Sequence, residues 1–204
     1  MTHVPLLVVV LLTSAALAGC NAGAPPPADT EGDYVSQIEA HRAKLDAAFR
    51  SQPNEPVPPG KMDTFLPLKY FPPDPEYAVP ASLEPATERA IVTMLTSQGK
   101  ERQHERVGVL AFVLEGKPLT LPAYVEAGAD RRRLFVPFSD MTNGTETYGA
   151  GRYLELERTA SGVYTIDFNK AYNPWCYYNP EYDCPYPPRE SRLPMPIRAG
   201  ERVP

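Results

Sequence analysis

The chain has 204 residues, with 20 Lys and Arg against 25 Asp and Glu and a formal net charge of −5 at pH 7. This length fits one domain, and the acidic balance argues against a nucleic-acid-binding protein, which normally presents a basic face. Proline supplies 25 residues, more than twice its usual share of about 5 %; because proline fixes φ and lacks an N–H donor, this excludes a helical bundle and favours strands joined by rigid turns.

The amino terminus has the features of a bacterial export signal. Residues 4–18 (VPLLVVVLLTSAALA) are apolar, too short a run to cross a bilayer, which needs about 20 residues, but typical of a signal-peptide core. Residues 17–20 (LAGC) resemble the lipobox of bacterial lipoproteins, in which the cysteine receives a diacylglycerol. By that resemblance, residues 1–20 are a signal peptide and Cys20 is the lipidated first residue of a cell-envelope protein. An ordinary cleaved signal with an incidental cysteine and an uncleaved anchor are the alternatives.

Behind the signal, the sequence predicts a tether, a helix and a wrapping segment. Residues 21–32 are expected to be a flexible tether, since their beginning is small, polar and rich in proline, and residues 33–204 a single domain. Apolar residues at helical spacing predict a helix from Asp33 onward, with the stripe Val35, Ile38, Leu45 and Phe49 and a stop at the prolines of 53–59. Residues 62–80 are expected to be coil packed on the core.

Six strands are predicted downstream, at residues 89–96, 106–114, 119–124, 134–138, 152–157 and 163–168. The nearly continuous apolar run of 106–114 predicts a central strand buried on both faces, and the last two strands are expected to form a hairpin. The short connections favour a mainly β (α+β) fold, an antiparallel meander that forms a barrel or sandwich. Beyond Asn169 the chain is rich in Tyr and Pro, and we expect this coil to pack on the barrel.

The residues that could carry metal or redox chemistry are few. His41 and His104 are the histidines behind the signal, and both are expected at the surface, so no metal and no cofactor is predicted. Cys176 and Cys184 lie eight positions apart. Because exported proteins usually reach an oxidising compartment, a disulfide is the leading interpretation; a two-thiolate metal site and two separate reduced cysteines are the alternatives.

Polar residues gather around the fifth and sixth predicted strands. Small residues at 149–151 stand before Arg152, an arrangement that would let backbone N–H groups and a guanidinium bind an anion, although a turn or bulge would also explain them. The side chains that could line a polar pocket, or form a network that holds the proline-rich tail, are Arg152, Asp167, Asn169, Tyr172, Asn173, Arg192 and Arg198.

Several of these residues belong to unusual strings that occur in one order. The strings are residues 68–74, 108–121, 138–154 and 167–174, then Cys176, residues 184–185, 192–194 and 197–201. They resemble the family called domain of unknown function 1684, and the resemblance covers nearly the whole chain behind the signal. It implies little about function, because the family has no established activity.

The sequence therefore predicts a protein tethered to a membrane through the lipid on Cys20, which binds a small polar or anionic ligand, or a protein partner, around Arg152, Asp167 and Asn169. An enzyme that uses the carboxylates Asp140, Glu146 and Asp167 is the first alternative, and a purely structural envelope protein is the second. An open groove with aromatic walls would favour the binding protein, an enclosed pocket with an unpaired carboxylate the enzyme, and complete internal pairing the structural protein.

Overall fold

A computed structural model describes residues 31–51, 56–127 and 132–204, so the predicted signal, Cys20 and most of the predicted tether lie outside the described residues. The described residues begin with helix α1, Glu31–Ser51, which starts inside the segment expected to be tether. Ile38 is buried and Leu45 and Phe49 are half-buried, so the predicted apolar stripe faces the protein. None of the described helices is both long and apolar enough to cross a membrane.

Six strands form one antiparallel sheet: β1 Ala78–Leu95, β2 Glu101–Leu114, β3 Lys117–Glu126, β4 Arg133–Phe138, β5 Arg152–Glu157 and β6 Val163–Asp167. Their order is β5-β4-β3-β2-β1-β6, and the edge strands β5 and β6 lie close to each other. The sheet is thus a nearly closed barrel, and the prediction of a mainly β fold with one N-terminal helix is confirmed. Short helices are α2 Met62–Phe65 and α3 Trp175–Tyr178, with 3₁₀ turns at Pro59–Lys61, Pro75–Tyr77, Phe168–Lys170 and Arg189–Ser191.

Strand β1 differs from its prediction in length and pairing. It begins at Ala78, well before the predicted start at Arg89. Its pairing with β2 shifts register between Pro85 and Ala90, and this irregularity lets the strand contain proline. The early part of β1 pairs with β6. The predicted hairpin of the last two strands is therefore wrong, since β6 pairs with the free edge of β1 and so nearly closes the barrel.

Strand β2 lies between β1 and β3, but it is not buried on both faces as predicted. Leu110, Phe112 and Leu114 point into the core, whereas Val113 is 56 % exposed. The sequence of this strand is apolar on both faces. A barrel of this kind has its core inside, however, and its outer face is exposed to solvent wherever no other element covers it. The groove described below lies against the outer face of the barrel, where His104 of β2 packs on Phe135.

The tail beyond β6 packs on the barrel, as predicted. Leu193, Met195, Ile197 and Ala199 are buried in the main hydrophobic core. Gly200 turns the chain with a φ of +78°, and a Cβ there would lie 2.5 Å from the carbonyl oxygen of Phe168. The close approach that only glycine permits brings the next residue, Glu201, beneath the groove described below.

Candidate functional site

The described structure contains a large groove between helix α1, the barrel wall and the first part of the tail. Its volume is about 1080 Å³, at the upper end of the range of roughly 300–1,000 Å³ found for small-molecule sites. Helix α1 contributes His41, Leu45, Ala48 and Phe49. The other walls come from β2 to β5 and from residues 170–185, with Leu68 and Glu201 completing the site.

Aromatic rings form a continuous wall of the groove. His104 stacks on Phe135 with 5.5 Å between ring centroids, and Phe135 meets Tyr153 edge-on at 4.8 Å. Tyr153 in turn meets Tyr172 at 5.8 Å. The first three rings come from β2, β4 and β5 and lie on the outer face of the barrel, since Leu134, Val136 and Leu154 beside them point into the core. Such a wall offers a planar or apolar ligand a large contact area.

A second aromatic pair stands at the open end of the groove. Trp175 meets Tyr182 edge-on at 5.2 Å, and Trp175 remains 43 % exposed. Trp175 is the only tryptophan of the chain. A large exposed indole beside a cavity is a feature that binding surfaces commonly show.

The floor of the groove is polar and almost completely enclosed. The carboxylate of Glu201 accepts hydrogen bonds from the Tyr178 hydroxyl and, at 2.9 Å, from the backbone N–H of Asn173. Burial raises the pKa of Glu201 to about 7, because removal from water disfavours the charged form more than these donors favour it. The carboxamide oxygen and nitrogen of Asn173 are both buried without a hydrogen-bond partner. The floor therefore offers a ligand an unsatisfied acceptor and an unsatisfied donor.

The charged side chains around the groove are acidic in excess. Three cations line it, namely Arg102, Arg133 and Lys170, against five acids, namely Glu126, Glu155, Glu181, Asp183 and Glu201. Each cation already has a partner: Arg102 donates to the Asp183 carbonyl at 2.9 Å, Arg133 pairs with Glu155 at 3.1 Å and Lys170 pairs with Asp167 at 3.2 Å. Arg102 also lies 3.7 Å from the Glu126 carboxylate, so every cation among the described residues of the groove has an acidic partner.

Arg152, a predicted ligand-binding residue, is completely buried under the tail. Its guanidinium contacts Asp140 at 2.9 Å and donates to the carbonyl oxygens of Ile197, Ala199 and Glu201. Asp140 in turn accepts the Ile197 N–H at 3.2 Å. These contacts form a network that holds the tail. They match the second of the two interpretations given above for the polar residues, and not the polar pocket.

Asp167 and Asn169 are engaged on the other side, where helix α1 docks. Asp167 accepts the Tyr34 hydroxyl at 2.8 Å and the backbone N–H of Asn169 at 3.1 Å. The carboxamide of Asn169 bonds to Tyr34 and to both backbone groups of Asp74. Neither residue lines the groove, and both serve to attach α1 and the segment that precedes β1.

Of the other predicted ligand-binding residues, Tyr172 and Asn173 line the groove, whereas Arg192 and Arg198 do not. Arg198 is largely exposed and pairs with Glu146 at 3.0 Å, and Arg192 is exposed. The structure therefore brings two of the seven residues together in one cavity.

The three carboxylates of the enzyme alternative do not share a cleft: Asp140 binds Arg152, Glu146 binds Arg198, and Asp167 binds Tyr34.

The histidines correct the expectation that both lie at the surface. His104 is 2 % exposed, because it lies on strand β2 where the rings of Tyr124 and Phe135 pack against it. Its burial lowers its pKa. His41 is half-buried on the inner face of α1. A register shift between Arg106 and Gly108 puts His104 on the face opposite to Leu110 and Phe112, so the alternation of the sequence does not predict its position.

The two cysteines lie in contact. Both are free thiols, and the backbone N–H of Cys176 donates to the Cys184 sulfur at 3.2 Å. The disulfide therefore stays a prediction. Among the described residues, no three His, Cys, Asp or Glu side chains are grouped closely enough to hold a metal ion.

Comparison with known proteins gives a family and a fold relative. Residues 63–202 match the family described as protein of unknown function (DUF1684). An uncharacterized protein of Haloarcula marismortui, solved in solution by NMR, is 37 % identical, with a TM-score of 0.67 over 84 % of this chain and 95 % of that one. No curated protein matches. The chain therefore belongs to the DUF1684 family of proteins of unknown function.

Proposed function

We propose that this protein is a ligand-binding module of the cell envelope, which holds a small neutral or cationic organic molecule in the groove between α1, the barrel wall and the tail. The observation that carries this proposal is a cavity of about 1080 Å³ with one aromatic wall and a polar floor. Small-molecule sites typically combine a large apolar lining with a few fixed polar groups.

The polar groups of the floor are arranged for holding a ligand rather than for transferring protons. Both oxygens of the Glu201 carboxylate accept hydrogen bonds, from Tyr178 and from Asn173, so the orientation of this group is fixed. The carboxamide oxygen and nitrogen of Asn173 are both unpartnered and would be satisfied by a ligand that accepts and donates a hydrogen bond, since an unsatisfied buried polar group is costly. Binding is therefore favoured over catalysis.

The sign of the ligand's charge follows from the lining. An anion would meet five acidic side chains and three cations that already have partners. A neutral ring would stack on Phe135, Tyr153 or Tyr172, and a cation would be attracted by ring faces as well as by carboxylates. The sequence predicts a polar or an anionic ligand. We propose the polar, uncharged ligand and not the anionic one.

The test is intact-mass analysis of the full chain, purified from its membrane at neutral pH. We expect a mass excess under non-denaturing conditions that disappears on denaturation, and the released compound should be an organic molecule without net negative charge. Equal masses under the two conditions, or a released phosphate or carboxylate compound, would contradict the proposal.

The anchor belongs to the same proposal. We expect cleavage before Cys20, with Cys20 carrying the lipid and the residues that follow it, up to the start of α1 at Glu31, connecting the domain to its membrane. In cells fed a radiolabelled fatty acid, the wild-type chain should take up label and Cys20→Ala should not. Cys176→Ala is the matched control and should still be labelled. Labelling of the Cys20→Ala chain would refute the anchor.

A further inference from the structure

Cys176 and Cys184 are held next to each other by separate parts of the fold. Cys176 lies on helix α3, and its backbone N–H donates to the Cys184 sulfur at 3.2 Å. Cys184 is fixed by the turn between β1 and β2, where its N–H donates to the Ser97 hydroxyl at 3.1 Å and its carbonyl accepts the Ser97 N–H at 2.9 Å. The two sulfurs are therefore brought together by the backbone without a covalent bond.

The two thiols are not equivalent. Cys176 is half-buried, whereas Cys184 is buried. The pKa of Cys176 is lowered to about 6, first by a hydrogen bond from the Cys184 thiol and then, against the opposing effect of burial, by bonds from the Ser97 and Tyr148 hydroxyls. The pKa of Cys184 is raised, because its thiol donates to Cys176. At neutral pH the more accessible sulfur is thus the thiolate, which is the nucleophilic form.

We infer that Cys176 and Cys184 are a redox-active pair that exchanges reversibly with disulfides, with Cys176 as the attacking sulfur and Cys184 as the resolving sulfur. This inference goes beyond the proposed ligand binding and does not depend on it. The pair lies at the edge of the groove, since Cys184 is one of its lining residues.

The proposed exchange needs a second disulfide as its co-reactant, which accepts the two electrons. The Cys176 thiolate attacks one sulfur of that disulfide, so the incoming S–S bond breaks, a mixed disulfide forms on Cys176, and the first leaving thiolate departs. Cys184 then loses its proton and attacks the Cys176 sulfur, which expels the second thiolate. The pair is oxidised by two electrons and the co-reactant is reduced by two; the Cys184 proton ends on one leaving sulfur, and the other leaves as a thiolate that takes its proton from solvent.

The hydrogen bonds to Cys176 favour a reversible disulfide over a permanent one. Donors that stabilise the thiolate stabilise the reduced pair, and a stabilised reduced form makes the corresponding disulfide easier to reduce. Tyr148 is the donor that can be removed most cleanly, because Phe keeps the ring that packs on Tyr177 with 5.1 Å between centroids.

The test equilibrates the full chain with mixtures of reduced and oxidised glutathione near neutral pH, stops exchange with acid, and blocks free thiols. Trypsin then releases both cysteines in one peptide, residues 171–189, so Cys20 does not interfere. We expect this peptide to pass from two thiols to one internal disulfide within the glutathione range. Tyr148→Phe should favour the disulfide by about tenfold, the effect of roughly one unit in thiol pKa, whereas Tyr177→Phe should not shift the equilibrium.

Three results would overturn the inference. A peptide that stays disulfide-bonded in the most reducing mixture would show a structural disulfide. A peptide that stays reduced, or that keeps glutathione on Cys176 without closing, would show that Cys184 does not resolve. An unchanged equilibrium in Tyr148→Phe would show that the Tyr148 hydroxyl does not stabilise the thiolate.

Discussion

Replacing Arg152 with Met is expected to lower the free energy of unfolding by about 3–5 kcal/mol, the usual cost of removing one partner of a buried ion pair. The change leaves the Asp140 carboxylate without its cation, and it removes the donors for the Ile197, Ala199 and Glu201 carbonyls. Because those carbonyls belong to the tail, the loss should release the segment that covers one end of the core. Urea unfolding followed by circular dichroism measures the effect.

The matched control for this change is Arg192→Met. Arg192 is an exposed arginine of the same tail, and a surface substitution of this kind should change stability by no more than about 0.5 kcal/mol. If Arg152→Met unfolded within about 1 kcal/mol of the wild type, the guanidinium would not be holding the tail, and the description of Arg152 as a structural residue would be wrong.

Glu201 is expected to make stability depend on pH across the neutral range. Its pKa in the folded chain, about 7, lies above its ordinary value of 4.5, so the folded state binds a proton that the unfolded state has released. The stabilisation is therefore fully present below about pH 4.5 and is lost as pH rises through about 7. Glu201→Gln keeps the uncharged form at every pH, with Tyr178 free to rotate its hydroxyl and accept.

The measurement compares the free energy of unfolding of the wild type and Glu201→Gln at about pH 5 and about pH 8. Between these two values the difference should shift by about 2 kcal/mol in favour of the variant, as the linkage between protonation and folding requires. Glu181→Gln removes an exposed carboxylate of the same groove and should show almost no such shift. A constant difference between wild type and Glu201→Gln would contradict the raised pKa.

The sequence predicts the fold well because the fold depends on local patterns. Alternation and short turns identify six strands, and the aromatic, proline-rich tail is too apolar to remain in solvent, as the burial of Leu193 and Ile197 confirms. The start of β1 was missed because Pro80 and Pro85 argue against a strand locally, whereas pairing with β6 and a register shift accommodate them. Proline content is therefore a poor guide to strand ends in this chain.

The site could not be predicted in the same way, because contacts distant along the chain create it. Small residues before Arg152 fit an anion site and a buried ion pair equally well, and the deciding carbonyls lie 45 to 49 positions away. The groove likewise joins a helix that begins at Glu31 to a tail that reaches Glu201. Tyr172 and Asn173 were predicted to be site residues because they lie shortly after β6. Tyr178 and His104 were not predicted, because no local pattern in the sequence marked them.

The most direct test of ligand binding in the groove places a large side chain inside it. Ala48 lines the groove from helix α1, whereas its neighbour Ala47 is exposed, so Ala48→Trp and Ala47→Trp add the same side chain inside and outside the cavity. Compounds released by denaturing each purified full chain are then compared by mass spectrometry. We expect the wild type and Ala47→Trp to release the same compound and Ala48→Trp to release little of it. Equal amounts from all three chains would place the ligand elsewhere and contradict the account.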